Sequence, residues 1–490
     1  MGDVNKNFSY SEFEKSDTAT RLGIDNRIKD GFIKENIKAL VDNILQPLRD
    51  KWGGPLFINS GYRCLQLNKE VGGVPTSQHC FDTQTEVLTN RGWLKYNEIK
   101  DSDKVYSYNL ETGKAELTNI DKIIIREQKG NMVLVKNNHI DLMVTDEHRM
   151  VVFNPVNKYQ RKTDKELTEK EKLYFDSLKT NNDKPHIELA KEIYGRRRKM
   201  LCAAKKDGKK IDLNLAKMCM AVIADGYFQR RIVSYAIGFR FKKERKCQQL
   251  EALLKDLGWY FTKVTDKHDV VNYYIRSKYA KDIFNAIGKQ KHIPLDFLEL
   301  NSSDMAELVK YYALYDGCSD KRENCTGISI ATVIKHNADM LQAMCTLSGM
   351  RCVCSYKERI QYNIKGQTGP AKGVYTLFIS PLKEDSKLSE RCYSTVGYEG
   401  LVWCVNNKNT TLFVRRNGKV SIQGNCKGEA ADIACDKPIE LARLAVLMHL
   451  PYDQCILYPT FVHFSYRKDE ENRRQLLYAP SWRGRKDLHL

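Results

Sequence analysis

Two short stretches, Thr76-Ser77-Gln78-His79-Cys80 and Gly424-Asn425-Cys426-Lys427-Gly428, read as the halves of one interrupted motif. Joined without residues 80 to 425, the chain runs Ser77-Gln78-His79-Cys426-Lys427-Gly428-Glu429-Ala430-Ala431-Asp432, of the form S-x-H-x-x-G-x-A-x-D. No continuous stretch contains that string. Residues that act together but stand far apart in sequence force a nested organisation, in which one domain is cut and another is inserted. The insertion opens with a thiol, Cys80, and closes with an amide, Asn425; a second thiol, Cys426, follows.

The texture of the chain changes at both breaks. Before Cys80, Ile33, Ile37, Leu40, Val41, Ile44 and Leu48 recur at helical spacing, and Pro47 is expected to kink or end that helix. Residues 55 to 63 then read as a short buried strand leading into a turn. After Cys80, short β-type runs follow at Thr85–Thr89, Lys104–Tyr108 and Met132–Val135, and the same texture returns at Leu401–Val405, Thr411–Val414 and Lys419–Ile422. Between these flanks lies a mixed α/β segment. There, a strand at Ile237–Phe241 and a helix through Leu250, Leu253 and Leu254 are echoed by Gly327–Ile330 and a helix through Met340, Leu341 and Met344, an internal repeat. After Asn425 a helix near Pro438 to Leu447 and a strand at Thr460–Ser465 resume the first theme.

A length of 490 residues requires several cores. No apolar run reaches the roughly 18 residues of a membrane span, and Met1-Gly2-Asp3-Val4-Asn5-Lys6 lacks the apolar core of a signal peptide. Fifteen scattered cysteines then suggest reduced thiols and a cytoplasmic precursor. A net charge of +19 favours a polyanionic partner, although a merely soluble basic protein is the plainer alternative.

Cys80, Asn425 and Cys426, with Thr145-Asp146-Glu147-His148, resemble the splicing residues of the hedgehog/intein family. The resemblance implies that Cys80 attacks the His79 carbonyl to give a thioester, helped by Thr145 and His148 of the family's T-x-x-H motif. Cys426 then takes the acyl group, and Asn425 cyclises and cleaves the chain behind itself; none of these steps needs a metal or cofactor. Two positions depart from the family pattern. Gly424 stands where a histidine is common, and Cys404 fits a downstream Asp-or-Cys position that no histidine follows in 406 to 411. Asn425 cyclisation is therefore expected to be slow or assisted by another group.

Within the insertion, Met218-Cys219-Met220-Ala221-Val222-Ile223-Ala224-Asp225-Gly226 and Lys310-Tyr311-Tyr312-Ala313-Leu314-Tyr315-Asp316-Gly317 resemble the paired elements of LAGLIDADG homing endonucleases. The likeness implies two packed helices, with Asp225 and Asp316 holding Mg²⁺ against double-stranded DNA. Lys291, in Lys291-His292-Ile293-Pro294, matches a K-x-I-P motif and is implied to stabilise charge near that site.

The rejoined flanks resemble D-Ala-D-Ala carboxypeptidases and endopeptidases. That resemblance makes His79, Asp432 and His463 zinc ligands, Arg63 a substrate-stabilising residue and a peptidoglycan peptide the substrate. The family's glutamate before the last histidine is missing, and Asp453 is the nearest carboxylate. A non-catalytic cell-wall-binding or virion component is thus an alternative for the ligated flanks, and a splicing-inactive insertion is another.

The expected layout is multidomain. It has a first flank at 1–79 and an all-β splicing domain at 80–155 and 395–425. An α/β endonuclease region, 156–394, is nested in that domain, and a second flank at 426–490 completes a split α+β peptidase. The excised insertion is expected to be monomeric. The ligated product is expected to reach the cell wall through phage lysis or as part of a virion.

Overall fold

The computed structural model describes residues 2–28, 31–62, 64, 67, 80–100, 102–120, 122–153, 184–230, 235–275, 277–319, 326–358, 361–364, 367–370, 372–425, 430–466, 472 and 474–478. The expected positions Arg63, Ser77, His79 and Cys426 to Gly428 lie outside them. The chain is multidomain and mostly β with helices, and it divides into two compact units. Met1–Ser77 with Cys426–Leu490 forms one, and Gln78–Asn425 forms the other.

In the first unit a five-stranded sheet runs in the order Phe57–Ser60, Ala430–Ala434, Phe461–Ser465, Gln454–Leu457, Gln475–Tyr478. Residues from both ends of the chain therefore share one sheet. Helical residues Leu40, Val41, Ile44 and Leu48 form one core with Leu441, Ala442 and Ala445 of helix Pro438–Leu447 and with Val462 and Phe464 of the sheet. Two expectations need correcting. Phe57–Ser60 is an edge strand whose residues alternate exposed and half-buried, with Phe57 66% exposed because it lies on the face opposite Ile58, which packs against the core. Pro47 does not end the helix, although the helix is irregular just before it. A π-helical turn, Val41–Leu45, precedes it, and Pro47 opens the next segment, Gln46–Trp52, where its missing N–H is tolerated.

The second unit is built on one long antiparallel ribbon. Strand Lys122–Lys136 pairs with Tyr393–Asn406 in register from Lys122↔Asn406 to Val135↔Tyr393. With Phe81–Asp82 and Asp141–Val144 the ribbon closes into a barrel. Beside it, Thr411–Arg416 and Lys419–Gly424 form a hairpin. Strands His186–Leu189 and Arg198–Leu201 both pair with Arg149–Phe153, so this β structure continues past residue 155.

The middle of the unit runs twice through the order helix, hairpin, helix, hairpin. The first pass is Leu213–Ala224, Tyr227–Arg230 with Tyr235–Phe241, Glu244–Asp256, and Phe261–Thr265 with Val271–Ile275. The second is Ser302–Asp316, Gly317–Ser319 with Ile328–Thr332, Lys335–Leu347, and Arg351–Lys357 with Val374–Ser380. The internal repeat expected from the sequence is present. The two passes differ in setting, since Val353 pairs with Lys419 and joins the second pass to the sheet of the hairpin.

Candidate functional site

The two ends of the second unit converge on the same strands. Cys80 precedes Phe81–Asp82, which pairs with both Trp403–Val402 and Val144. That short strand is tied down by side chains: Trp403 Nε1 donates to the Asp82 carbonyl at 3.1 Å, and Arg416 donates to Asp82 Oδ2 at 2.9 Å. Arg416 also pairs with Asp141, so one buried guanidinium bridges two carboxylates from neighbouring strands. Cys80 is fully buried. Its amide donates to Thr145 Oγ1 at 3.2 Å, and the Thr145 amide donates to the Cys80 carbonyl at 3.1 Å. A tight turn, in which the His148 amide donates to the Thr145 carbonyl, brings the buried His148 ring against Phe81, with centroids 4.5 Å apart. The T-x-x-H spacing thus brings a hydroxyl to the amide nitrogen of Cys80 and an imidazole to its neighbour.

Asn425, also fully buried, follows the last strand of the hairpin. Its amide donates to the Thr410 carbonyl at 2.9 Å, and its side-chain Nδ2 donates to the Val405 carbonyl at 2.9 Å. Its own carbonyl oxygen accepts from Arg149 Nη1 at 3.0 Å. Arg149 follows His148 directly in sequence, so both ends of the unit lean on one turn. Cys404, buried beside Trp403 on the ribbon, directs its thiol toward the Val405 carbonyl at 3.8 Å. Arg149 escaped the sequence reading. The one signal for it was its place next to the T-x-x-H histidine.

A second constellation lies at the ends of the paired helices Leu213–Ala224 and Ser302–Asp316, which pack against each other. Asp225 caps the first, and Asp316 is the last residue of the second. Burial, and then the Asp225 charge, push the Asp316 carboxyl up to about 6. Lys246 makes an ion pair with Asp225, a contact the sequence did not suggest. Lys291 donates to the Gly226 carbonyl at 3.0 Å, and burial holds its ammonium below its usual range against the pull of Asp316 and Asp225. A buried carboxyl raised by a second carboxylate beside it is part of a donor set that fits a divalent cation. A cation bound there would displace Lys246 from Asp225.

In the first unit, Asp432 and His463 are register partners on neighbouring antiparallel strands, and His463 Nδ1 donates to Asp432 Oδ1 at 2.7 Å. An imidazole and a carboxylate meeting this way fit zinc. Ser60 pairs with Asp432 at the sheet edge. Asp453 is buried and immediately precedes strand Gln454–Leu457, in which Ile456 pairs with His463.

The Peptidase M15 family model matches residues 6–90. Over 416 residues the chain is 27% identical to the ribonucleoside-diphosphate reductase subunit beta of Aquifex aeolicus, covering 80% of this chain and 56% of that protein. Over 100 residues it is 35% identical to the DNA-directed RNA polymerase subunit beta C-terminal section of Stigeoclonium helveticum, covering 20% of this chain and 9% of that one. The chain thus spans only part of each curated relative. Among solved structures, mesophilic variants of the homing endonuclease I-DmoI align with a TM-score of 0.25 at 15% identity, over 34% of this chain and 88% of theirs. No helix among the described residues is long and apolar enough to cross a membrane.

Proposed function

We propose that the chain is a self-splicing precursor of the hedgehog/intein type. Residues 80 to 425 excise themselves, and His79 is joined to Cys426. The observation that carries this reading is the pairing of the two ends of one unit. The amide nitrogen of Cys80 is bound by Thr145, and the carbonyl of Asn425 is bound by Arg149, four residues further along the same turn.

The chemistry follows from those contacts. Cys80 Sγ attacks the His79 carbonyl carbon, the C–N bond breaks and the nitrogen takes a proton. Thr145 orients that nitrogen and His148 serves as the proton donor. Cys426 Sγ then displaces Cys80 from the thioester. Asn425 Nδ2 attacks its own carbonyl carbon and releases the Cys426 amine as a cyclic imide forms. That amine finally attacks the thioester to make an ordinary peptide bond. The curated similarities support the reading in a separate way. The two relatives are named for unrelated activities, and a match over 80% of the chain has to run through the inserted unit. A segment carried by an unrelated host accounts for the longer match.

The paired helices support a nested LAGLIDADG-type endonuclease acting on double-stranded DNA at the uninterrupted coding site. Asp225 and Asp316 would hold Mg²⁺, which supplies activation of the attacking water and charge neutralisation at the phosphate. Lys291 and Lys246 lie where developing negative charge needs balance.

The ligated flanks are proposed as a zinc peptidase of the D-Ala-D-Ala type acting on peptidoglycan. His79, Asp432 and His463 would hold the metal, Arg63 would bind substrate, and the metal supplies a water of lowered pKa. The missing glutamate before His463 favours a second reading for this part alone, a non-catalytic cell-wall-binding or virion component. Turnover of a muropeptide by the zinc-loaded ligated product separates the two. Expression in a reducing cytoplasm, followed by intact-mass measurement of the ligated and excised products, tests the splicing reading.

A further inference from the structure

Gly424 stands where the splicing chemistry commonly has a histidine beside the terminal asparagine, and the surroundings of this glycine are specific. A Cβ at position 424 would lie 2.7 Å from both the Cβ and the carbonyl oxygen of Arg149. Real Cβ atoms do not approach backbone so closely, so position 424 cannot carry any side chain while Arg149 stays where it is. Arg149 is itself buried, 8% exposed, and its Nη1 lies 3.0 Å from the carbonyl oxygen of Asn425. That carbonyl is the one at which the chain must break.

The other atoms of the reaction are held as well. Nδ2 of Asn425 is anchored to the Val405 carbonyl and its backbone amide to the Thr410 carbonyl, which fixes the residue on both sides of its reacting carbon. Asn425 Oδ1 is buried without a hydrogen-bond partner among the described residues, so the contact to Val405 is the one that the carboxamide must give up to turn toward its own carbonyl carbon.

Resting on the splicing reading, we propose that Arg149 is the oxyanion-stabilising catalytic residue for cyclisation of Asn425, taking the role left vacant at position 424. Nδ2 bonds to the Asn425 carbonyl carbon, and the electron pair of the C=O moves to oxygen. As that pair returns, the C–N bond to Cys426 breaks. The proton lost from Nδ2 ends on the departing amine, leaving a C-terminal imide and a free α-amine. Charge grows on the atom that Arg149 already contacts. A guanidinium hydrogen bond strengthens as its acceptor passes from neutral carbonyl to alkoxide, and this difference is what accelerates the step. Arginine stays protonated at every working pH, so the device does not titrate as a histidine would. Glycine at 424 leaves room for the backbone and Cβ of residue 149, which carry the arginine to the Asn425 carbonyl.

The test follows the full chain in a reducing buffer and scores the branched intermediate, the ligated product and thiol-induced cleavage at Cys80. Arg149→Ala should accumulate the branched species, with its resolution slowed roughly 10²- to 10³-fold. Thiol-induced cleavage should stay within a few-fold of the parent. Arg149→Lys should recover part of the rate. Resolution in the parent chain should show no titration between pH 6 and 7.5. Resolution in Arg149→Ala as fast as in the parent would overturn the proposal and leave the splicing reading intact. Equal loss of both cleavages, with Arg149→Lys no better, would also overturn it and make Arg149 structural. A parent chain that forms no branched species and no product would remove the splicing reading and the proposal together.

Discussion

The amide of Cys80 donates to the hydroxyl of Thr145 at 3.2 Å, and the amide of Thr145 donates back to the carbonyl of Cys80 at 3.1 Å. On the proposed splicing chemistry, this reciprocal pair fixes the peptide nitrogen that leaves when the thioester forms. Thr145→Val keeps the shape and deletes the acceptor. In an Asn425→Ala background it should slow thiol-induced cleavage at Cys80 up to about tenfold, the worth of one hydrogen bond. His148→Ala should slow it more, roughly 10²- to 10³-fold, as loss of a positioned proton donor does. Equal cleavage rates in the parent and both variants would leave Thr145 and His148 as packing residues.

Arg416 joins Asp82 and Asp141, both of which are buried. Arg416→Met strands two carboxylates away from water and should cost about 3–5 kcal/mol, read by chemical denaturation of a splicing-blocked chain. Adding Asp82→Asn and Asp141→Asn should restore much of that loss. A variant as stable as its parent would mean that water already reaches this cluster.

Much of this architecture was legible in the chain itself. The broken motif announced a split unit, and the apolar spacing in Glu244–Asp256 and Lys335–Leu347 announced helices, since a buried stripe at helical period needs no tertiary information. Phe57 is a contrasting case. Pro55-Leu56-Phe57-Ile58 is apolar enough to suggest burial, but Phe57 lies on the face opposite Ile58 and is exposed, and which face of a strand is covered is a long-range property. The site divides the same way. Cys80, Thr145 and His148 follow from type and spacing. Arg149 against Asn425 and Lys246 against Asp225 depend on which strands and helices lie side by side, and no local pattern encodes that.

Asp316 gives a pH prediction with a defined sign. Burial and the Asp225 charge raise its carboxyl from 3.8 to about 6. A raised acid favours the folded state while protonated, so this contribution is complete below about pH 4 and lost as pH rises through about 6. In metal-free protein above pH 7, Asp316→Asn should therefore stabilise the fold by about 1–2 kcal/mol after allowance for solvent screening. The same variant, like Asp225→Asn, should abolish Mg²⁺-dependent cutting of DNA carrying the uninterrupted coding sequence and leave splicing unchanged. A destabilised Asp316→Asn protein at pH 8 would contradict the assigned cause. Unimpaired cutting would remove Asp316 from the metal site.

His463 and Asp432 already touch, while the third proposed zinc ligand, His79, is separated from them in sequence until ligation. Zinc ligands need fixed tetrahedral geometry. A Cys80→Ala, Asn425→Ala chain should therefore bind zinc at least about tenfold more weakly than the ligated product, and His463→Ala should abolish tight binding in that product. Isothermal titration of the two forms measures this, and equal affinities would mean that the insertion does not silence the peptidase unit.

The most direct test of the central claim is an intact-mass time course of the wild-type chain made in a reducing cytoplasm. Splicing predicts two products, residues 1–79 joined to 426–490 by an ordinary peptide bond and the free 80–425 segment ending in a cyclised asparagine. The Cys80→Ala, Asn425→Ala chain should stay whole. A wild-type chain that remains at full length for hours, with Cys80 and Asn425 unchanged, would contradict the account.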